Sequence, residues 1–270
     1  MTRQSLLVWV LVVAAVACNA QQAPNARSVT AASGTVLVTG ANRGLGLEFA
    51  RQYADAGWNV IATARDPEHA AELRALATRR QRVTVERLDV TDRTSIDALA
   101  AKYAHAAIDV LINNAGVLGD MRAQTLGSLD HAEFERVMDT NVYGALAVAE
   151  AFRDQVAVSN QKKIVSITSR SGTISQPGYR GPYFYRASKI ALNMVMRVLA
   201  DDLRERGVIV ALVAPYPTET DMLRALIGAE AATRQARPED SVAGMIHVID
   251  GLTLENSATP LLADGKPLPW

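Results

Sequence analysis

Short apolar runs alternate along the chain with segments in which apolar residues recur at helical spacing. The runs predict strands at residues 36–38, 59–63, 83–88, 110–112 and 164–169. The helical patterns predict helices at residues 45–53, 68–77, 96–103, 141–156, 183–207 and 241–252. Because the strands are nearly all apolar and helices separate them, we expect an α/β fold, a single Rossmann-type doubly wound parallel sheet with helices on both faces.

The first predicted strand runs into a turn with three glycines that leads into a helix. Gly40 can take the backbone angles of a tight turn, Gly44 lets the chain approach a ligand closely, and Gly46 lets the helix pack close to the sheet. Backbone N–H groups and the helix N-terminus at such a turn attract a phosphate. The spacing Gly-x-x-x-Gly-x-Gly is one residue longer than the common dinucleotide fingerprint, and an ordinary strand–turn–helix would also use glycines.

The end of the second predicted strand bears on the choice of cofactor. An acid here would accept hydrogen bonds from an adenosine ribose, but Ala64 stands at this place and Arg65 follows it. With Arg43 in the glycine turn, two guanidinium groups suit a 2′-phosphate, so the sequence favours NADP(H) over NAD(H). The alternatives are Asp66 as the acid and Arg65 as a solvated loop charge.

The residues that follow the third and fourth predicted strands are also candidates for the site. Asp89 and Val90 can bound an adenine ring, whereas Asp92 is expected to cap the next helix. Residues 113–116, Asn-Asn-Ala-Gly, can bond backbone and ribose together, although alone they would signal only a turn. Ligands of parallel sheets bind at the carboxyl ends of the strands, so these segments predict one site.

Tyr185 and Lys189 lie one helical turn apart on one face of a predicted helix. A phenol titrates at about pH 10, and an adjacent ammonium group lowers that pKa. The phenol can then exchange the proton that accompanies hydride transfer at a carbonyl, while Ser169 at a neighbouring strand end polarises the substrate oxygen. Tyr183 and Thr168 are rival assignments, and an exposed aromatic ring beside a solvated lysine is the plainer interpretation.

Four features, in this order along the chain, resemble the short-chain dehydrogenase/reductase family over residues 35–226: the glycine turn, the Asp-Val pair, the Asn-Asn-Ala-Gly segment and the Tyr–Lys pair. The long spacing before Tyr185, the run Tyr-Arg-Ala-Ser-Lys-x-Ala-Leu-Asn and the ending at residues 264–270 resemble its sniffer/C-factor-type carbonyl reductase branch. The resemblance implies an NADPH-dependent oxidoreductase for a small-molecule carbonyl or alcohol, and a homo-oligomer.

The resemblance also implies roles for individual residues. Tyr185 corresponds to the general acid/base, Lys189 to the lysine that lowers its pKa and holds the nicotinamide ribose, Ser169 to the substrate-orienting serine, and Asn141 to the asparagine that joins a water to the lysine in a proton relay. Together with the strand-end residues, the expected cofactor contacts are Gly40, Asn42, Arg43, Gly44, Leu45, Gly46, Arg65, Asp89, Val90, Asn114, Gly116, Tyr185, Lys189, Thr218 and Thr220.

The chain departs from the family pattern in two places. Tyr216 stands where the family has a glycine, which puts a bulky ring where the nicotinamide amide is expected. Ser169 and Tyr185 are also a few residues further apart than usual, so residues 170–180 are expected to bulge over the site. Residues 223–237, rich in leucine and alanine, are the expected substrate lid and favour an apolar substrate.

Composition excludes several functional classes. The 28 basic and 28 acidic residues balance, so no electrostatic argument for nucleic-acid binding exists. The single cysteine excludes an internal disulfide and gives no metal cluster. The histidines have no ligand spacing; they are His69, His105, His131 and His247. With 49% hydrophobic residues in 270, the chain can bury the core of one domain.

The first residues predict an export signal. Arg3 precedes an apolar run at residues 6–17 that is too short to span a bilayer but typical of a signal peptide. The segment leading to Cys18 resembles a lipoprotein signal with Cys18 as the lipidated residue, and cleavage after Ala17 or Ala20 is the alternative. We therefore expect a signal at 1–20, a flexible tether at 21–33, and a periplasmic protein or a lipoprotein attached to the membrane. A cytoplasmic protein with a mis-assigned start is the other interpretation.

Two other functions compete with a carbonyl reductase. The first is a dinucleotide-binding regulator without catalysis, because fold alone does not give function. The second is a lipid-anchored envelope scaffold whose site is a relic. Export favours both, since the periplasm should hold little NADPH, whereas the intact Ser169, Tyr185 and Lys189 favour the enzyme. The predicted enzyme domain covers residues 34–270.

Overall fold

The computed structural model describes residues 34–175 and 181–270. Across these residues the strands form one sheet in the order β3-β2-β1-β4-β5-β6-β7, with every neighbouring pair parallel. The strands are β1 (Thr35–Val38), β2 (Asn59–Ala64), β3 (Val83–Arg87), β4 (Val110–Asn113), β5 (Lys163–Ile167), β6 (Ile209–Ala214) and β7 (Pro260–Leu262).

Helices connect the strands. In the described part of the chain the α-helices are α1 (Gly44–Asp55), α2 (Ala71–Arg79), α3 (Arg93–Lys102), α4 (His131–Met138), α5 (Gly144–Ala157), α6 (Tyr183–Leu203), α7 (Asp221–Ile227), α8 (Ala229–Ala232) and α9 (Pro238–Asp250). A π-helical turn at Asp139–Tyr143 joins α4 to α5, and 3₁₀ turns lie at Arg170–Gly172 and Arg204–Arg206. None of the described helices is both long enough and apolar enough to cross a membrane.

The core lies in two layers, one on each face of the sheet. Alternate strand residues enter opposite layers, so that Val36 and Val38 lie in one and Leu37 in the other. The first layer includes Phe49 of α1 and Met245 of α9, and the second packs α3, α5 and α6 against the sheet. The α/β fold with a doubly wound parallel sheet is therefore confirmed.

The strand order places the site. From β1 the chain builds outward to β2 and β3, and then returns to β4 on the other side of β1. The order reverses there, and such a reversal opens a crevice at the carboxyl ends of the two central strands. The glycine turn after β1 and the Asn-Asn-Ala-Gly segment after β4 both lie at this crevice.

Candidate active site

The glycine turn is held together by its own backbone and by Asn114. Gly40 has a φ of +64°, and a Cβ there would lie 2.9 Å from Ala115 Cα, so the position accepts glycine only. Asn114 Nδ2 donates to Thr39 O at 2.9 Å and to Gly40 O at 3.1 Å. A Cβ on Gly46 would meet Gly40 O and lie 2.5 Å from Asn114 Nδ2. Gly46 thus lets α1 approach the glycine turn and Asn114. The sequence had predicted that this glycine would let α1 approach the sheet.

Thr39 joins the ends of the two central strands, a role that the sequence reasoning did not assign. Its Oγ1 accepts hydrogen bonds from the N–H groups of Asn114 and Ala115, both at 3.0 Å. Its own backbone N–H donates to Ile112 O at 3.0 Å. The hydroxyl therefore fixes the segment after β4 against the glycine turn.

The ends of β2 and β3 form a depression in which two arginines stand beside two acids. Arg65 and Arg87 line it together with residues 66–68. Arg87 lies opposite Ala64 in the β2–β3 register, which brings a third guanidinium that the sequence reasoning missed. Asp66, the alternative ribose acid, accepts a bond from the His69 ring at 2.6 Å, and that hydrogen bond lowers the pKa of Asp66.

The other expected cofactor residues lie around the same edge. Asp89 Oδ1 accepts from the Thr91 hydroxyl at 2.7 Å, and Val90 is buried. Asn42 and Arg43 are exposed, and Leu45 packs against the first core layer. The Asp92 side chain accepts from Thr94 N at 2.9 Å at the start of α3, so the predicted helix cap is confirmed.

Tyr185 and Lys189 lie on the buried face of α6. Tyr185 is 8% exposed, whereas the rival Tyr183 is 52% exposed at the first position of the helix. Lys189 Nζ lies 5.7 Å from the centroid of the Tyr185 ring and donates to Ile167 O at 2.8 Å. Because the ammonium group is buried, the pKa of Lys189 falls to about 8.

Ser169 follows the end of β5 and begins the turn at Arg170–Gly172. Its Oγ accepts from Ser171 N at 3.1 Å, and the side chain remains half-buried. The rival Thr168 is 2% exposed, and its hydroxyl donates to Asn193 Oδ1. Of these two hydroxyls, Ser169 is therefore the one with access to a substrate.

Asn141 lies in the π-helical turn, at the place where the sequence predicted ordinary helix. Its Oδ1 accepts from Val117 N at 2.8 Å, and its Nδ2 donates to Val117 O and to Ser188 Oγ, both at 2.9 Å. Ser188 Oγ in turn donates to Tyr185 O at 2.8 Å. The amide thus ties the segment after β4 to α6, and its part in a proton relay stays a prediction. A Cβ on Gly116 would lie 3.2 Å from Asn141 Oδ1 and 3.9 Å from Lys189 Nζ.

The segment after β6 leaves the sheet near Pro217 and comes back beside the same residues at Ala236. Thr218 Oγ1 donates to Tyr216 O at 2.6 Å, and the Tyr216 side chain is partly exposed. Thr220 caps α7 by accepting from Leu223 N at 3.3 Å. Backbone bonds of 2.9–3.0 Å join Ala236 to Pro217 and Glu219, so α7 and α8 form an excursion closed at its base.

Two predictions fall wholly or partly outside the described residues. The signal at 1–20, the tether at 21–33 and Cys18 lie in the undescribed first part of the chain. Of the segment at 170–180, only residues 170–175 are described. Within the described ranges, no group of three or more His, Cys, Asp or Glu side chains could hold a metal ion.

Comparison with known proteins agrees with this geometry. The model of the short chain dehydrogenase family matches residues 34–231. C-signal of Myxococcus xanthus is 38% identical over 173 residues, which are 64% of this chain and 99% of that protein. NADPH-bound carbonyl reductase from chicken fatty liver superposes with a TM-score of 0.80 at 32% identity, over 88% of this chain and 99% of that one. Carbonyl reductase Sniffer of D. melanogaster superposes with a TM-score of 0.78 at 25% identity, over 88% of this chain and 100% of that one.

Proposed function

The chain belongs to the short-chain dehydrogenase/reductase family, and on that premise we propose that it is an NADPH-dependent carbonyl reductase. The observation that carries the proposal is the pair Tyr185 and Lys189, both buried, one turn apart, at the carboxyl edge of the sheet. Burying an ammonium group without a carboxylate partner is unfavourable. An ordinary surface tyrosine beside a solvated lysine would not have this placement.

Each side chain of the site has a defined task in the proposed reaction. The Tyr185 hydroxyl donates its proton to the substrate oxygen during reduction and accepts it during oxidation. Lys189, when protonated, stabilises the phenolate that remains, and Ser169 Oγ orients the substrate oxygen by donating a hydrogen bond. The nicotinamide cofactor, when bound, supplies or takes the hydride.

The residues around the crevice fit a phosphorylated dinucleotide. The glycine turn offers backbone N–H groups and the N-terminus of α1 to the pyrophosphate. Arg43, Arg65 and Arg87 are the candidates for the 2′-phosphate, because all three are exposed near the ends of β1, β2 and β3. Asp66 lies beyond the end of β2, and its carboxylate already accepts from the His69 ring, so we favour the arginines over this acid as the cofactor contacts at the strand end. The chicken enzyme, which is similar to this chain, binds NADPH.

The substrate is proposed to be a small apolar carbonyl compound. The excursion of α7 and α8 is the candidate lid, and it presents apolar side chains such as Ile227, which is 42% exposed. Tyr216 stands beside it in place of the usual glycine. We assign Tyr216, whose side chain is partly exposed, a contact with the nicotinamide end of the cofactor.

A second candidate function is a dinucleotide-binding regulator. Its support is the 38% identity with C-signal, together with Tyr216 at the nicotinamide position. Export supports it as well, and we propose export from the signal-like residues 1–20, with Cys18 lipidated and 21–33 as a tether to a domain at 34–270. Assembly as a homo-oligomer is proposed from the family alone.

The deciding experiment uses the purified full chain. Binding of NADPH and NADH is followed by nucleotide fluorescence, and NADPH oxidation is followed with a panel of aromatic and aliphatic aldehydes and ketones. We expect NADPH to bind more tightly and at least one carbonyl to be reduced. Tight NADPH binding without turnover of any carbonyl, or of any alcohol with NADP⁺, would favour the regulator.

A further inference from the structure

The catalytic helix α6 begins without a capping side chain of its own. Its N-cap is Pro182, which makes no side-chain hydrogen bond to the helix. The first N–H groups of an α-helix have no partner within the helix, and a neighbouring Ser, Thr, Asp or Asn usually accepts from one of them. At α6 the acceptor comes from a distant part of the chain.

Gln124 supplies that acceptor from the segment between β4 and α4. Its Oε1 accepts from Phe184 N at 3.1 Å and from Tyr185 N at 3.2 Å. Its Nε2 donates to Leu118 O at 3.0 Å and to Asp120 O at 3.2 Å. The side chain is 1% exposed, and all four hydrogen-bonding positions of the amide are used.

The hydrogen bonds fix the orientation of the amide. A flipped amide would set its NH₂ group against the two helix N–H groups and its oxygen against two carbonyls. Gly119, with a φ of +87°, makes room for it, since a Cβ there would lie 2.9 Å from Gln124 Nε2. Gln124 therefore joins the segment after β4 to the first turn of α6 in one geometry.

From these contacts we infer that Gln124 is a positioning residue for Tyr185, an inference that rests on the proposed acid/base role of Tyr185. The backbone of Tyr185 is held at both ends, its N–H by Gln124 Oε1 and its carbonyl by Ser188 Oγ. Lys189 lies one turn further along the same face. The phenol thereby keeps a fixed place relative to the ammonium group.

The chemistry of the amide matters as well as its position. A carboxylate at a helix N-terminus is common and favourable for the helix, but beside Tyr185 it would stabilise the neutral phenol and raise the pKa of the phenol. The charged groups of the neighbouring elements are Asp120, whose carbonyl the amide contacts, the Glu133–Arg136 ion pair beyond Gly119, and Lys189 one turn along α6 from Tyr185. A neutral glutamine caps α6 without adding a further negative charge near Tyr185.

The test compares Gln124→Leu and Gln124→Glu with Thr125→Ala, a matched control that removes an exposed hydrogen bond to Met121 O in the same segment. We expect Gln124→Leu to lower kcat about 10- to 100-fold, since a misplacement of about 1 Å at a reacting group can cost 10²-fold. NADPH affinity should stay within about twofold. The tyrosinate absorbance of Tyr185 is taken, for each protein, as the difference from the same protein carrying Tyr185→Phe. It should titrate at higher pH in both Gln124 variants than in wild type and should be unchanged in Thr125→Ala.

A double-mutant cycle separates positioning from general destabilisation. In a Tyr185→Phe background, Gln124→Leu should change the residual rate by less than about twofold. Equal losses of rate in both backgrounds, or an unchanged titration of Tyr185 in both Gln124 variants, would overturn the inference. Because the titration needs no substrate, a wild type without any turnover would defeat the proposed function and still leave the role of Gln124 testable. Gln124→Glu, which keeps an acceptor for both helix N–H groups, is the second variant if Gln124→Leu does not fold.

Discussion

Arg43 Nη1 lies 3.5 Å from Asp221 Oδ2, so the glycine turn after β1 contacts the first turn of α7. Both side chains are largely exposed, and Asp221 also pairs with Arg224 at 3.0 Å. A Cβ on Gly44 would lie 3.8 Å from the Thr220 methyl group, so the two segments approach each other there as well. The candidate lid thus begins against the turn proposed to hold the cofactor phosphates, and if Arg43 binds the 2′-phosphate as proposed, Asp221 competes for it.

Asp221→Asn should therefore tighten NADPH binding. The gain should be at most about fivefold, because exposed ion pairs contribute little, and NADH affinity should not change. Glu230→Gln on α8, whose carboxylate pairs with Arg234, is the control and should leave both affinities unchanged. Equal tightening of NADPH and NADH would show that Asp221 acts on lid movement and not on Arg43.

Arg65 and Arg87 should set the preference for NADPH. Loss of a charge-assisted bond to phosphate costs roughly 1.5–3 kcal/mol, so Arg65→Ala should weaken NADPH binding about 10- to 150-fold. Arg87→Ala should also weaken NADPH binding, and neither substitution should change the affinity for NADH. Arg79→Ala, at the exposed end of α2, is the control. Nucleotide fluorescence measures all these affinities, and equal losses for both nucleotides would mean that the arginines are structural.

The parts of this site that the sequence predicted are those with a local signal. Glycines after an apolar run place the turn, and the spacing of Tyr185 and Lys189 already puts both on one helix face. The ends of the strands were predicted less accurately than the turns. The fifth strand was expected to reach Ser169, but it ends at Ile167, because Ser169 Oγ caps the turn that follows.

Residues whose role depends on distant neighbours could not be predicted in this way. Arg87 joins the depression at the ends of β2 and β3 only because β3 pairs with β2 in a register that sets it opposite Ala64. Gln124 meets Tyr185 across 61 positions of sequence. The segment that contains Gln124 has no periodic pattern. The helix α4 after it was not predicted, although Phe134, Val137 and Met138 recur at helical spacing and Asp130 caps the helix by accepting from Glu133 N.

Tyr185→Phe tests the proposed proton donor. The substitution removes one oxygen and keeps the ring, so NADPH should still bind while carbonyl reduction falls by about 10²- to 10⁴-fold. Tyr183→Phe, with a similar ring that is 52% exposed, is the control and should keep wild-type turnover. Aldehyde-dependent NADPH oxidation gives the rates, and loss of activity in Tyr183→Phe alone would reverse the assignment.

Cys18→Ala tests the proposed export. If residues 1–20 act as a lipoprotein signal, wild type should incorporate a fatty-acid probe and fractionate with membranes, and Cys18→Ala should do neither. Ser5→Ala, in the same segment, is the control for general effects on the signal. Full-length protein in the cytosol that retains its first residues would contradict the proposal.

Lys189 should make stability depend on pH in a way that Lys189→Met removes. The pKa of this lysine is lowered by burial from 10.5 to about 8 in the folded protein. Between these values the unfolded chain binds more protons than the native protein, so the free energy of unfolding rises with pH across that window. Below pH 8 both states are protonated, and the buried charge lowers stability by about 3 kcal/mol.

The measurement is urea unfolding of wild type and Lys189→Met between pH 7 and about pH 10. The difference in unfolding free energy should move in favour of wild type by up to about 3 kcal/mol as the pH rises. Burial also raises the pKa of Tyr53 and lowers the pKa of Lys163, but both residues are present in the two proteins and their effects cancel. Tyr185 does not cancel, because Lys189 is proposed to lower its pKa, so the same pair of proteins is also compared in a Tyr185→Phe background. A difference that stays flat with pH would mean that Lys189 keeps an ordinary lysine pKa, and its ammonium would then remain charged across the whole range in which Tyr185 is proposed to work.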